Sequence, residues 1–293
     1  MVHCASNSPG RKGACVSARG LEYVIDANVS AALQEDVGSG DLTALLVPVD
    51  ETARAAVISR EPAVLAGAPW FDAVFRRLSP AVQVTWHKQD GEMVEAGATL
   101  CLMEGPARSL LTGERTALNF LQMLSAVATR TRRYVDAVVG TRAVVVDTRK
   151  TLPGLRLAQK YAVRIGGGRN HRMGLYDGIL IKENHIAAAG GIRAALEGAT
   201  RLNAKVSVQI EVESLAQLAE VLDAGAKLLL LDNFSLDDLR EAVRMNAGRA
   251  QLEASGGITL ETLRAVAETG VDRISVGALT KDVEAIDLSM RFG

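Results

Sequence analysis

From Ala143 to the C-terminus, short apolar runs alternate with amphipathic stretches of helical period. The runs are Ala143–Asp147, Gly178–Lys182, Val206–Val212, Leu228–Asp232, Gln251–Ser255 and Arg273–Gly277. A run that is apolar throughout, rather than at every second position, predicts a strand buried on both faces. Between them, Ser214–Leu222, Leu236–Met245 and Leu260–Glu268 carry the spacing of helices with one apolar stripe. Strand and helix in alternation predict an α/β fold with a parallel sheet, closed as a barrel or wound as an open layer. Upstream, Ala117, Leu118, Leu121, Leu124 and Ala128 share one face of a long helix expected to start at Thr112 as N-cap and to run past Val135. The stretch from Leu21 to Ser109 mixes short helices with predicted strands at Ala55–Ile58, Val82–His87 and Thr99–Met103. Within it, Asp90-Gly91, Val94, Gly97 and Leu100 have the turn spacing of a lipoyl- or biotinyl-type β-sandwich. Residues 1–20, rich in Ser, Gly and basic residues, are expected to form a mobile tail.

Composition narrows the function classes. The chain has 293 residues, 48% hydrophobic and 23% charged, enough to bury a large core. A formal net charge of −1 and 4% aromatics provide neither the basic footprint nor the stacking platform of a nucleic-acid binder. No apolar run approaches the roughly 18 residues that span a bilayer, and the first twenty have no signal-peptide core. Cys4, Cys15 and Cys101 are scattered, with no metal or redox spacing, which predicts reduced thiols and a cytoplasmic setting.

The polar residues that end the apolar runs carry the chemistry. Thr148-Arg149-Lys150 follow the first run and Lys182 the second; Glu211, Asp232, Ser255-Gly256-Gly257 and Val276-Gly277-Ala278 end the others. In a βα barrel every strand's C-terminal end opens on one face, so these groups should converge on one mouth. Any one alone reads as a helix cap or loop charge; six in succession do not. Arg142 to Lys182 holds nine basic residues and two acidic ones, a net +7 in a chain of net −1. Arg156, Lys160 and Arg164 read as a solvated helix face. Arg149, Lys150, Arg172 and Lys182, at strand ends or Gly-rich turns, read as cations for a highly anionic ligand. Ser255-Gly256-Gly257 and Gly277 would offer backbone N–H groups to a phosphate. Glu211 and Asp232, with no His or Cys beside them, would bind a hard cation such as Mg²⁺, act as acid and base, or stabilise a developing cation. Together these predict a phosphosugar-binding βα-barrel transferase or lyase.

Several longer motifs resemble the quinolinate phosphoribosyltransferases. They are Asp147-Thr148-Arg149-Lys150-Thr151, Gln159-Lys160-Tyr161-Ala162-Val163, Gly166-Gly167-Gly168 with Asn170-His171-Arg172, and Leu180-Ile181-Lys182-Glu183-Asn184-His185. Glu35 to Thr43, Gly113-Glu114-Arg115, Glu211-Val212-Glu213, Leu231-Asp232-Asn233, Glu253 to Gly257 and Val276 to Leu279 extend the likeness from Leu21 to the C-terminus. The resemblance implies an N-terminal α/β sandwich domain (21–116), an incomplete, seven-stranded TIM-like α/β barrel (117–282), and a C-terminal segment (283–293) packing back on the first domain. It also implies a homodimer with shared active sites, alone or built into a higher oligomer, in which Arg115 reaches the partner's mouth.

The implied reaction joins quinolinate to 5-phosphoribosyl-1-pyrophosphate with Mg²⁺, giving nicotinate mononucleotide, pyrophosphate and CO₂. On this resemblance Arg115, Arg149, His171 and Arg172 hold the two carboxylates, and Lys150 and Lys182 hold carboxylate and pyrophosphate oxygens beside Thr148. Glu211 and Asp232 bind ribose hydroxyls or Mg²⁺; Ser255, Gly256, Gly257, Val276, Gly277 and Ala278 receive the 5-phosphate. No organic cofactor, nucleic acid or membrane is expected. Three other readings stay open: a sister phosphoribosyltransferase with another acceptor, a carrier module, and a non-catalytic phosphosugar sensor. The carrier would need a lysine at the hairpin tip, and Lys88 precedes the turn.

Overall fold

The structure, a computed structural model, describes residues 18–293. Most of the expected tail, with Cys4 and Cys15, lies outside the described residues; Ala18 to Gly20 already belong to the first helix, α1 (Ala18–Asp36).

The N-terminal half is a four-stranded antiparallel sheet faced by helices. Its strands are β1 (Thr52–Ser59), β3 (Gln83–Trp86), β5 (Thr99–Pro106) and the C-terminal β12 (Leu288–Phe292), in the order β12-β1-β5-β3. The last strand thus returns across the whole chain, with Val57 opposite Met290. The expected lipoyl-type sandwich is not formed. Its hairpin stretch splits between a two-residue strand, β4 (Met93–Val94), paired with β2 (Ala63–Val64), and β5 of the larger sheet. Asp90, expected as a turn residue, instead caps α2 (Ala68–Leu78): its carboxylate accepts from Gly67 N at 2.9 Å and Ala68 N at 3.2 Å. The Tyr161 hydroxyl donates to the same carboxylate at 2.7 Å, and burial pushes the Asp90 pKa up. Helix α2 inserts Trp70, Phe71, Val74 and Phe75, all buried, into the core.

Helix α3 (Ala107–Ala137) runs through both halves. It begins straight after β5 at Pro106 rather than at Thr112. Thr112 is no cap; its hydroxyl donates to Asp41 Oδ2 at 2.9 Å, a tertiary bond. Arg115 consequently sits in the third turn, away from the positive end of the helix dipole. The five residues of the expected apolar face are all buried.

The second half is an all-parallel sheet of six strands: β6 (Val144–Val146), β7 (Gly178–Ile181), β8 (Ser207–Val212), β9 (Leu228–Asp232), β10 (Gln251–Ser255) and β11 (Arg273–Ser275). Their order is β6-β11-β10-β9-β8-β7. The resemblance implies seven strands; beside the six among the described residues stands an isolated parallel bridge, Val146 to Arg169, on β6. Gly166 lets that segment press on α3, since a Cβ there would lie 2.4 Å from Ala128 O. The helices are α4 (Arg156–Ile165), α5 (Glu183–Ala189), α6 (Ile192–Arg201), α7 (Leu215–Asp223), α8 (Leu236–Asn246), α9 (Leu260–Glu268) and α10 (Ala278–Lys281). Ser214 and Ser235 cap α7 and α8 with their hydroxyls. No helix among the described residues is long and apolar enough to cross a membrane.

Candidate active site

Because β6 to β11 are parallel, their C-terminal ends form one rim. Thr148-Arg149-Lys150, Lys182, Glu211, Asp232, Ser255-Gly256-Gly257 and Gly277-Ala278 stand at those ends. Lys150 lies against the turn after β11: a Cβ on Gly277 would be 3.0 Å from Lys150 Cδ and 3.9 Å from its Nζ. Val276 N–H is spent on Val146 O at 2.9 Å, which fixes this turn beside β6. Gly256 and Gly257 both have positive φ, +105° and +55°. At Gly256 a Cβ would sit 2.1 Å from Asn233 Oδ1, so only glycine lets these two turns approach.

The rim is cationic around Arg149 and Arg172. Arg149 Nε is buried with no hydrogen-bond partner. The Arg172 guanidinium makes one long bond among the described residues, Nη1 to Gly178 O at 3.4 Å. Burial and the neighbouring Arg149 guanidinium lower the Arg172 pKa, partly offset by Asp177. Two neighbouring guanidiniums, neither in an ion pair among the described residues, favour an anion between them. The Lys150 ammonium is exposed and is in no ion pair among the described residues.

His171 is held from both ring nitrogens. Nδ1 accepts from Arg172 N at 2.8 Å, and Nε2 meets Gln209 Oε1 at 2.9 Å. Nδ1 is therefore unprotonated and Nε2 carries the hydrogen, an assignment that follows from the bonding pattern. Gln209 Nε2 in turn donates to Glu253 Oε2 at 3.2 Å, and Arg273 Nε lies 3.2 Å from the same oxygen. Glu253 Oε1 is buried without a hydrogen-bond partner, 3.5 Å from His171 Nε2. Gln209, Glu253 and Arg273 form a polar layer inside the sheet's curve that sequence reasoning missed. Each sits two residues before a rim residue or strand end, on the face that Glu211 and Ser255 share.

The acidic side is compact. Carboxylate oxygens of Glu211, Glu213 and Asp232 lie within 4.8 Å of one another. Lys182 is ion-paired with Glu211, its Nζ 3.0 and 2.8 Å from the two oxygens, rather than standing free for a ligand. Asn233 Nδ2 donates to Asp232 Oδ2 at 3.0 Å. His185 only caps α5, its Nδ1 accepting from Lys182 N at 3.0 Å.

One expectation changes. Lys160, read as a solvated helix residue, is fully buried and ion-paired with Asp147. Arg115 is not part of its own chain's rim. It is exposed on a turn of α3 whose neighbours Thr112 and Thr116 bond to Asp41 and Asp36, and it makes no ion pair among the described residues.

Comparison with known proteins gives the lineage. The model of the quinolinate phosphoribosyl transferase N-terminal domain matches residues 41–125, and that of the C-terminal domain matches 127–291. A probable carboxylating nicotinate-nucleotide pyrophosphorylase of Bacillus subtilis is 44% identical over 257 residues, covering 87% of this chain and 89% of that one. The chloroplastic enzyme of Oryza sativa is 39% identical over 290 residues, covering 92% and 78%. The solved nicotinate-nucleotide pyrophosphorylase of Francisella tularensis superposes with a TM-score of 0.90 at 45% identity, covering 93% of this chain and 97% of that one. With the models of both domains matching residues 41–125 and 127–291, and a relative 44% identical over most of its length, this chain belongs to the quinolinate phosphoribosyl transferase family.

Proposed function

We propose that the rim transfers the phosphoribosyl group of 5-phosphoribosyl-1-pyrophosphate to the ring nitrogen of quinolinate, giving nicotinate mononucleotide, pyrophosphate and CO₂. The observation that carries this reading is the pair Arg149 and Arg172, neighbouring cations in no ion pair among the described residues and only partly offset by Asp177. A ligand with two adjacent carboxylates supplies the charge the protein leaves out, through charge-assisted bonds. His171 presents its ring beside them, with its nitrogens already engaged. Lys150, next to the Gly277 turn, is placed to neutralise oxygens of the pyrophosphate as it leaves. Thr148 orders that loop, its Oγ1 accepting from Lys150 N at 3.0 Å. The backbone at Ser255 to Gly257 and Val276 to Ala278 frames the 5-phosphate.

Glu211 and Asp232 face the anomeric carbon in this reading and favour the oxocarbenium-like centre by their charge or through the ribose hydroxyls. Their oxygens, with those of Glu213, are hard donors that would hold a Mg²⁺, and such an ion would supply charge neutralisation for the pyrophosphate. Lys182 would then leave Glu211 for the anionic substrate. After the ring nitrogen attacks and pyrophosphate leaves, the adjacent positive nitrogen stabilises the electron pair that CO₂ leaves on its carbon, and a proton from water completes the C–H bond, so decarboxylation calls for no organic cofactor.

A homodimer completes the site. Leu42, Leu45, Leu46 and Val49, on the segment that Thr112 and Arg108 tie to α3, are exposed, as are Leu111 and Arg115 on the helix itself. An unpaired cation within an apolar surface of this kind fits burial against a second copy, with Arg115 reaching the partner's anion hole. The scattered cysteines support a cytoplasmic setting.

Titration calorimetry with quinolinate and nicotinate tests the acceptor. Quinolinate should bind about 10 to 100 times more tightly, the worth of one extra charge-assisted carboxylate. Equal affinity, or tighter nicotinate, would move the reading to a sister acceptor. Mixing Arg115→Ala with Lys182→Ala protein should restore activity through the hybrid dimer, and no recovery would put both residues in one chain's site.

A further inference from the structure

Helix α4 carries two adjacent buried residues that hold two different segments of the rim. Gln159 accepts from Leu152 N at 2.8 Å and donates to Thr280 O at 2.8 Å, while Thr280 Oγ1 donates to Lys150 O at 2.7 Å. These bonds fix the Arg149-Lys150 segment. Lys160, next in sequence, points to the segment that follows the Gly run. Its ammonium donates to Asp147 and, at 3.1 Å, to His171 O. Asp147 accepts from Asn170 Nδ2 at 2.6 Å and from His171 N at 2.8 Å. Asn170 Nδ2 also donates to Lys160 O at 2.9 Å, and Asp147 N to Arg169 O at 3.1 Å. Both charges are fully buried, with side-chain exposures of 1% and 0%.

Asp147 organises the side chain of Asn170 and the backbone of His171, the residue just before Arg172, and is itself a carboxylate two residues before Arg149. Left uncompensated, its charge would compete for the two guanidiniums that flank it along the chain, Arg149 two residues on and Arg172 next to its partner His171. We propose that Lys160 is a positioning residue for the acceptor carboxylates: it neutralises Asp147, keeps the loop-ordering bonds of that carboxylate, and thereby leaves Arg149 and Arg172 free to bind quinolinate. This rests on the acceptor reading given above. The pair is not there chiefly for stability, because a buried ion pair does little better than a well-packed apolar pair in its place.

The test uses the full chain with Lys160→Met, Asp147→Asn and the double variant. Three quantities are read: the quinolinate constant, the phosphoribosyl pyrophosphate constant, and the ¹⁵N signals of the His171 imidazole. Each single variant should weaken quinolinate by at least about tenfold, the loss of one charge-assisted contact, with the phosphoribosyl pyrophosphate constant within about threefold. The His171 ring should lose the Nε2–H pattern as its backbone anchors shift. The double variant, free of the uncompensated charge, should recover most of the Lys160→Met loss. A folded single variant with unchanged quinolinate affinity would overturn the proposal. So would equal losses for both substrates, or a double variant no better than Lys160→Met. If Lys160→Met does not accumulate as folded protein, Asp147→Asn decides on the same readouts. If wild type itself fails to bind quinolinate, the acceptor reading fails; a change of His171 signals in the variants would still show the positioning link.

Discussion

Replacing Arg172 by methionine separates the site's binding role from any role in the fold. Methionine keeps an unbranched apolar stem of similar reach and removes only the guanidinium. On the folding side little is lost. The group makes a single hydrogen bond, to Gly178 O at 3.4 Å, the long limit of such contacts and worth at most about 0.5 kcal/mol. Relief from the Arg149 guanidinium, which together with burial lowers the Arg172 pKa, works in the opposite direction. The two roughly cancel, so the melting temperature should stay the same or rise. On the binding side, a bidentate carboxylate forfeits two charge-assisted bonds of about 1.5–3 kcal/mol each. That sums to about 3–6 kcal/mol, or about 10²- to 10⁴-fold in kcat/KM for quinolinate. Arg172→Lys should recover only a part, since an ammonium cannot match the planar fork. Steady-state kinetics with quinolinate varied, next to thermal unfolding, reads both sides. Unchanged quinolinate kinetics, or a clear fall in melting temperature, would refute the view that this guanidinium is kept for the substrate.

Gly256→Ala should raise KM for phosphoribosyl pyrophosphate by about tenfold or more while quinolinate affinity holds, because the left-handed φ and the Asn233 contact force that turn away from the 5-phosphate. Asp41 has its pKa lowered by the Ala44 N–H, then by Thr112 and Thr43. A depressed carboxyl stabilises the fold above the ordinary value of 3.8, and that contribution disappears as pH falls through the folded value. Asp41→Asn should thus be less stable than wild type at neutral pH, with the gap closing in acid denaturation below about pH 3.8; a gap that widens in acid would reverse the assignment. Burial drives the Cys101 thiol far above its usual range, so it should resist alkylation at pH 8 until the protein unfolds, which mass spectrometry of the modified peptide reads directly.

The barrel was legible because its strands are buried on both faces: Leu228–Asp232 and Gln251–Ser255 are strands over the residues their apolar runs marked out. The rim followed from chain direction alone, since parallel strands deliver their ends to one side. What stayed hidden was polar chemistry settled by distant partners. Thr112 looked like a helix cap, yet its hydroxyl serves Asp41, 71 residues away in sequence. Asp90 looked like a turn residue but closes the N-terminus of α2 and ties it to Tyr161. Lys160 fits the polar stripe of an amphipathic helix, and only the fold brings Asp147 to it. Gln209 and Glu253 did leave a signal: each is a polar residue inside an apolar run, two positions before a rim residue. That parity places them on the inner face. The Lys182–Glu211 pair left no such mark, because both residues are also what an anionic ligand and its metal would call for.

The most direct test is turnover with labelled acceptor. Protein supplied with phosphoribosyl pyrophosphate, Mg²⁺ and quinolinate labelled in the carboxyl next to the ring nitrogen should release labelled CO₂ and nicotinate mononucleotide in equal amounts. Nicotinate in place of quinolinate should give no mononucleotide. Mononucleotide formed from nicotinate and not from quinolinate, or consumption of phosphoribosyl pyrophosphate without CO₂, would contradict the account.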